Sequence, residues 1–217
     1  FCHGFLFCNS RHHTFSSMIH HSYLALGDSY TIGEQVPFAD NFPNQKVQLL
    51  RRSGFAFYAA EVITKTGWTT DELNNDIEHS ALLPTYDVVS LLIGVNNQYR
   101  GRSVTEFKIE FEHLLQRAIQ FADNKPYRVF VLSIPDWGVT PFAEGRDSKQ
   151  VASEIDAYNY ICETSAKQFL ANFINITPSQ RKDGNDKEFL AADGLHPSVP
   201  EYKKWAVKLA DAILKEL

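Results

Sequence analysis

The first buried strand of the chain and the turn that follows it read Tyr23-Leu24-Ala25-Leu26-Gly27-Asp28-Ser29. The apolar run is short and continuous rather than alternating, which is typical of a central strand covered on both faces. Comparable runs follow at residues 60–66, 86–93, 128–134 and 173–177. Segments with helical periodicity fill the intervals, and strands that alternate with helices favour an α/β fold with a parallel sheet.

Helices are predicted at residues 44–53, 70–79, 104–122 and 147–170, and a last helix follows Ser198. In the 104–122 segment, apolar side chains recur at the spacing of one helix face. The last helix opens with Ser198-Val199-Pro200-Glu201, which fits a capping box, and proline is tolerated in a first helical turn.

Length and composition are those of an ordinary globular protein. The chain has 217 residues, of which 44% are hydrophobic and 22% charged. We therefore expect one domain, from residue 18 to residue 217. A formal net charge of -5 argues against a nucleic-acid partner. No apolar run approaches the roughly 20 residues that a membrane-spanning helix needs.

Residues 1–17 differ from the rest and are interpreted as a non-native or disordered extension. The only methionine is Met18, which we take as the natural start, and the cytoplasm is then the expected location. The alternative, a secretory signal, needs a longer apolar core than Phe5-Leu6-Phe7. The cysteines and histidines of this extension match no tight zinc spacing, so no metal site is expected there.

Four short polar segments follow predicted strands or precede the last helix, and one of them carries a serine while another carries an acid and a histidine. Ser29 follows the first strand, whereas Asp193 and His196 lie in Asp193-Gly194-Leu195-His196-Pro197. A serine hydroxyl needs an adjacent base to act as a nucleophile, and an aspartate commonly orients such a base. Alone, Ser29 would be a turn residue and His196 a structural histidine. Together they predict a serine hydrolase site.

The other two segments supply possible donors for an oxyanion. Gly67 follows the second predicted strand, and Asn96 lies in Gly94-Val95-Asn96-Asn97 after the third. Glycine lets a backbone N–H approach a substrate closely, and asparagine offers a side-chain amide. Taken singly, each is as well explained by a turn or a loop cap. With the Ser29 N–H, they would form an oxyanion hole.

This order of segments resembles the GDSL/SGNH hydrolase family, and in particular its bacterial lipase/acylhydrolase-type esterases. The resemblance extends over the chain from Met18 onward. It implies a flavodoxin-like, three-layer α/β/α fold with a parallel five-stranded sheet in the order 2-1-3-4-5. It also implies a catalytic triad of Ser29, Asp193 and His196, and an oxyanion hole of Ser29, Gly67 and Asn96. Tyr30 replaces the leucine of the family name, and Asn97 replaces the usual aspartate.

The expected reaction is hydrolysis of a small carboxylic ester, of short to medium acyl chain, through an acyl-serine and without a metal or organic cofactor. The same triad would serve a thioesterase, a lysophospholipase or a carbohydrate O-deacetylase. A catalytically silent binding protein of the same fold is a remote alternative. The apolar loop after the fourth strand, which carries Trp137 and Phe142, either packs on the body of the protein or forms an acyl-binding wall. Arg100 and Arg102 are interpreted as a solvated loop rather than as contacts for an anionic substrate group.

Overall fold

A computed structural model describes residues 19–217. Residues 1–17, interpreted above as an extension without a metal site, and Met18, taken as the natural start, lie outside the described residues. The strands are β1 His20–His21, β2 Tyr23–Gly27, β3 Ala56–Phe57, β4 Glu61–Thr64, β5 Val88–Leu92, β6 Val129–Leu132 and β7 Asn172–Ile174.

Five of these strands form one sheet, in the order β4-β2-β5-β6-β7, and every neighbouring pair is parallel. All residues of β2, β5 and β6 are buried, which explains their continuous apolar sequences. The short strands β1 and β3 pair separately and were not expected. The order 2-1-3-4-5 therefore holds only when the five strands of the main sheet are counted by themselves. The α/β class is confirmed.

Helices flank this sheet. They are α1 Ser29–Ile32, α2 Phe42–Arg52, α3 Thr70–His79, α4 Val95–Tyr99, α5 Val104–Phe121, α6 Ser148–Gln168, α7 Thr177–Asp183 and α8 Val199–Ile213. Helix α2 packs on α8, whereas α5 packs on α3 and α6. Within residues 19–217, no helix is both long enough and apolar enough to cross a membrane.

The start of α8 corrects one prediction. Ser198 is the N-cap residue, but its side chain makes no capping bond and donates to the Glu188 carbonyl instead, at 2.6 Å. The Glu201 carboxylate accepts from Ser179 and from the Trp205 indole, at 2.7 and 2.9 Å. Two partners outside the helix, Glu188 and Ser179, and one within it, Trp205, thus replace the bonds of a capping box. A capping box does open α3, between Thr69 and Glu72.

Aromatic side chains join α1, α2 and α8 beneath the carboxyl end of the sheet. The fully buried indole of Trp205 lies within 6.3 Å of the rings of Tyr30, Phe42 and Tyr202, measured between centroids. Large rings of this kind bury much apolar surface with few rotatable bonds. This cluster gives α1, which begins at Ser29, a rigid base.

Candidate active site

The segments singled out from the sequence converge on one cleft at the carboxyl ends of the strands, where parallel α/β sheets bind ligands. The cleft has a volume of about 130 Å³. Its lining residues come from both halves of the chain: Ser29, Tyr30, Thr66, Gly67, Val95, Asn96, Tyr99, Trp137, Phe142, Leu195 and His196.

The turn from β2 into α1 presents Ser29 to the cleft. A side chain on Gly27 would overlap the Thr31 side chain and the Leu92 carbonyl, so only glycine lets the chain pass here. Asp28 is the N-cap of α1, and its carboxylate accepts a hydrogen bond from the Tyr30 N–H at 3.0 Å. Burial raises the pKa of Asp28 to about 7, although the bonds from the Tyr30 and Asp28 N–H groups oppose the rise.

The loop before α8 brings an imidazole to the same serine, 167 residues away in sequence. The His196 Nε2 lies 3.0 Å from the Ser29 Oγ, and the His196 Nδ1 lies 2.6 Å from an oxygen of Asp193. The second Asp193 oxygen accepts from the backbone N–H groups of Leu195 and His196, each at 3.0 Å. Gly194 adopts a φ of 67° that closes this turn.

These contacts determine the ionisation of Asp193 and the tautomer of His196. Partial burial opposes ionisation of Asp193, but hydrogen bonds from the His196 ring and from two backbone N–H groups outweigh it and hold the pKa of this carboxyl below its usual range. An ionised Asp193 favours the tautomer that carries the proton on Nδ1. The Nε2 is then free to accept the proton of the Ser29 hydroxyl.

Tyr30, which replaces the family's leucine, lies against the imidazole. The two rings are 5.0 Å apart between centroids and tilted by 52°. The Tyr30 hydroxyl is buried and has no hydrogen-bond partner among residues 19–217. This contact with His196 has no signal in the sequence, because a residue next to the serine can point to either side of the turn.

The three residues predicted to supply an oxyanion hole line the cleft together. Ser29 is the first residue of α1, and a first helical N–H has no partner inside its own helix. Gly67 is the third residue of a turn that the Trp68 N–H closes on the Lys65 carbonyl, and its φ of 85° favours glycine. The Asn96 Nδ2 donates one N–H to the Trp68 carbonyl at 2.9 Å, which leaves its second N–H for the cleft.

Trp137 and Phe142 both line the cleft, and Tyr99 joins them to form an aromatic wall. The centroid of Tyr99 lies 5.3 Å from that of Trp137 and 6.2 Å from that of Phe142. Trp137 is 4% exposed, and its indole N–H donates to the Gln98 Oε1 at 2.7 Å. The Gln98 amide in turn donates to Glu154 on α6 at 2.6 Å.

The loop that carries Trp137 is held by a charge pair. The Asp136 carboxylate, which is fully buried, accepts from the Gly138 N–H at 2.9 Å and from the Arg181 Nε at 2.7 Å. One wall of the cleft is therefore fixed to α7 as well as to α6.

Arg100 is exposed, as expected for a solvated loop, but it also has partners that were not expected. Its Nη2 donates to the Gly67 carbonyl at 2.7 Å, and its Nη1 lies 3.3 Å from Glu72. Arg102 also has partners, since it forms an ion pair with Asp71 at 2.7 Å. Neither contact has a local sequence signal, because the partners lie about 30 residues earlier in the chain.

The chain belongs to the GDSL-like Lipase/Acylhydrolase family, whose sequence model matches residues 25–204. It is therefore a hydrolase of the serine ester hydrolase type. No curated protein matches its sequence.

Several solved structures share the fold. The lipase/acylhydrolase from Enterococcus faecalis is 20% identical, with a TM-score of 0.72 over 91% of this chain and 97% of that one. TesA is 16% identical, with a TM-score of 0.71 over 90% and 99% of the two chains. Axe2, an acetylxylan esterase from Geobacillus stearothermophilus, is 18% identical, with a TM-score of 0.68 over 90% and 93%. At these identities, the likeness is one of fold.

Proposed function

We propose that this protein hydrolyses carboxylic esters through a covalent acyl-Ser29 intermediate. Two consecutive contacts support this proposal most strongly. The Ser29 Oγ lies 3.0 Å from the His196 Nε2, and the His196 Nδ1 lies 2.6 Å from an Asp193 carboxylate oxygen. Both distances lie within hydrogen-bond range, as nucleophile, base and orienting acid require.

In the first half of the reaction, His196 removes the proton of the Ser29 hydroxyl, and the Ser29 Oγ bonds to the ester carbonyl carbon. The carbonyl oxygen becomes an oxyanion, which accepts from the Ser29 N–H, the Gly67 N–H and the Asn96 side chain. The intermediate then collapses, and the alcohol leaves with the proton from His196.

In the second half, His196 removes a proton from water, and the resulting hydroxide attacks the acyl-Ser29 carbonyl. The same three donors hold the second oxyanion. Collapse breaks the bond to the Ser29 Oγ, which recovers its proton from His196, and the carboxylic acid is released. Asp193 stays ionised throughout, because its role is to stabilise the imidazolium.

The walls of the cleft support a short to medium acyl chain as the group bound. Val95, Tyr99, Trp137, Phe142 and Leu195 present apolar surface beside the serine. Each methylene transferred to such a surface is worth about 0.8 kcal/mol, or about fourfold in kcat/KM. The cleft volume of about 130 Å³ favours a small acyl group.

A panel of nitrophenyl esters from acetate to octanoate tests the proposal. The wild type should turn them over, with kcat/KM rising from acetate to butyrate and levelling off before octanoate, whereas Ser29→Ala should be inactive at matched folding. Turnover by Ser29→Ala at the wild-type rate would refute the assignment of Ser29 as the nucleophile.

The same panel should include a thioester, a lysophospholipid and an acetylated xylose oligomer. The last is chosen because Axe2, which shares the fold, is named an acetylxylan esterase. A kcat/KM for the acetylated sugar far above that for every nitrophenyl ester would replace the acyl-ester assignment with carbohydrate deacetylation.

A further inference from the structure

The turn that carries Gly67 is a weak element by itself. Lys65 and Thr66 are exposed, and the one backbone bond that closes the turn, from the Trp68 N–H to the Lys65 carbonyl, is 3.3 Å long. Gly67 has the widest conformational freedom of any residue type. An oxyanion donor must be fixed in position before the reaction, so this turn needs support from elsewhere in the chain.

The Thr66 hydroxyl donates to Glu34, and further support comes from α4 and the residue that follows it. The Asn96 side chain holds the Trp68 carbonyl at 2.9 Å, and the Arg100 guanidinium holds the Gly67 carbonyl at 2.7 Å. Two successive carbonyls of the turn are thus each bound by a side chain. Of these two side chains, only Asn96 lines the cleft.

Arg100 is itself anchored. Its second nitrogen lies 3.3 Å from an oxygen of Glu72, whose other oxygen accepts from the Thr69 N–H at 2.9 Å in the capping box of α3. The planar guanidinium can serve two partners in fixed directions, which a lysine ammonium on a flexible stem does not do. The arginine therefore connects the turn to the first residues of a helix.

We propose that Arg100 is a positioning residue for the Gly67 oxyanion donor. The Gly67 carbonyl belongs to the peptide plane after the Gly67 Cα, and its N–H belongs to the plane before it. Because the guanidinium and the Trp68 N–H bond hold the later plane, the Gly67 N–H can reorient only by rotation of the earlier one. Arg100 touches no reacting atom. This inference rests on the proposed function, since it assigns a role within the same oxyanion hole.

Arg102 provides a matched control. It is also an arginine in the segment after α4, and it also pairs with an acid of α3, through Asp71 at 2.7 Å, with Glu110 of α5 at 3.5 Å. Its guanidinium bonds carboxylates rather than a carbonyl of the turn. Removing it costs an ion pair of the same kind without touching Gly67.

The experiment compares Arg100→Ala, Arg100→Lys and Arg102→Ala by steady-state hydrolysis of nitrophenyl butyrate. Arg100→Ala should lower kcat on the order of tenfold, less than the full loss of a donor, while KM changes less than twofold. Arg100→Lys should recover part of kcat, and Arg102→Ala should remain within about twofold of wild type.

Inhibition by an alkylboronic acid, which forms a tetrahedral adduct with an active serine, supplies a second readout. Arg100→Ala should weaken this inhibition by the same factor as kcat, because both depend on the oxyanion hole, whereas Arg102→Ala should not. Equal kcat and equal inhibition for the two alanine variants would overturn the positioning role, as would a change in Arg100→Ala confined to KM.

Ser29→Ala separates the two levels of inference. If Ser29→Ala is inactive and Arg100→Ala behaves like Arg102→Ala, the positioning role fails and the proposed function stands. If Ser29→Ala is as active as wild type, both fail.

Discussion

Replacing Asn96 with alanine removes one donor from the proposed oxyanion hole and one bond from the turn beside it. Loss of a single oxyanion donor lowers kcat on the order of 10²–10³-fold, or about 2.7–4 kcal/mol. KM should stay nearly constant, because the ground-state carbonyl oxygen carries far less charge than the oxyanion. The Trp68 carbonyl also loses its partner, at 2.9 Å in the wild type. Trp68 is only half-buried, so water can replace that bond at a stability cost of about 1 kcal/mol.

Asn97 is the matched control for this prediction. It is fully buried and bonds Thr70 twice, accepting from the backbone N–H at 3.1 Å and donating to the hydroxyl at 2.7 Å. Asn97→Ala leaves a buried N–H without an acceptor, which costs about 1–3 kcal/mol of stability, yet kcat should fall less than about threefold.

Both variants are measured by nitrophenyl butyrate kinetics and by thermal unfolding of the same preparations. We expect opposite profiles: Asn96→Ala should be slow and nearly as stable as wild type, whereas Asn97→Ala should be active and less stable. An Asn96→Ala enzyme that changes only in KM would show that the side chain binds substrate rather than the oxyanion. Equal kcat losses in both variants would show that the α4 segment acts through its overall structure.

Two further predictions concern the aromatic wall and the turn before Ser29. Gln98→Leu removes the acceptor of the buried Trp137 indole N–H, which the wild type bonds at 2.7 Å. The free energy of unfolding should therefore fall by about 1–3 kcal/mol, and the ratio of kcat/KM for hexanoate to that for acetate should fall as well. Adding Trp137→Phe should restore part of the stability, and no recovery would argue against this bond. For Asp28, burial raises the folded pKa to about 7, so its contribution to stability is complete below pH 4 and is lost as the pH rises through 7. As the pH rises from 5 to 8, the free energy of unfolding of Asp28→Asn, measured with urea, should therefore increase by about 3 kcal/mol relative to that of wild type. Parallel pH profiles for the two proteins would contradict the raised pKa of Asp28.

The inner strands β2, β5 and β6 were predictable because all of their residues are buried, on both faces of the sheet. A parallel strand between helix layers must be apolar throughout, so runs such as Val88–Leu92 show in the sequence without any knowledge of their neighbours. The short helices α1 and α4 were missed for the opposite reason. With four and five residues, they are too short to display a helical period.

Side-chain partners were predictable only where chemistry restricts the choice. A serine, a histidine and an acid have few reasons to occur together at strand ends, so Ser29, His196 and Asp193 could be grouped in advance. Arg100 could not be assigned, because a long cation finds acceptors in many directions and its carbonyl partner has no side chain to signal it. Glu201 shows the same effect, since donors from Ser179 on α7 and from Trp205 one turn along α8 take the place of the bond that its spacing from Ser198 predicts.

The contact between the Ser29 Oγ and the His196 Nε2 is central to the proposed reaction, and labelling with a fluorophosphonate tests it directly. Only an activated serine reacts quickly with this reagent. Mass spectrometry of digested wild type should find one phosphonyl group on the peptide that contains Ser29, no label on Ser29→Ala, and labelling of His196→Ala slowed at least about a hundredfold. Label on a different residue, or equal labelling rates in wild type and His196→Ala, would contradict the account.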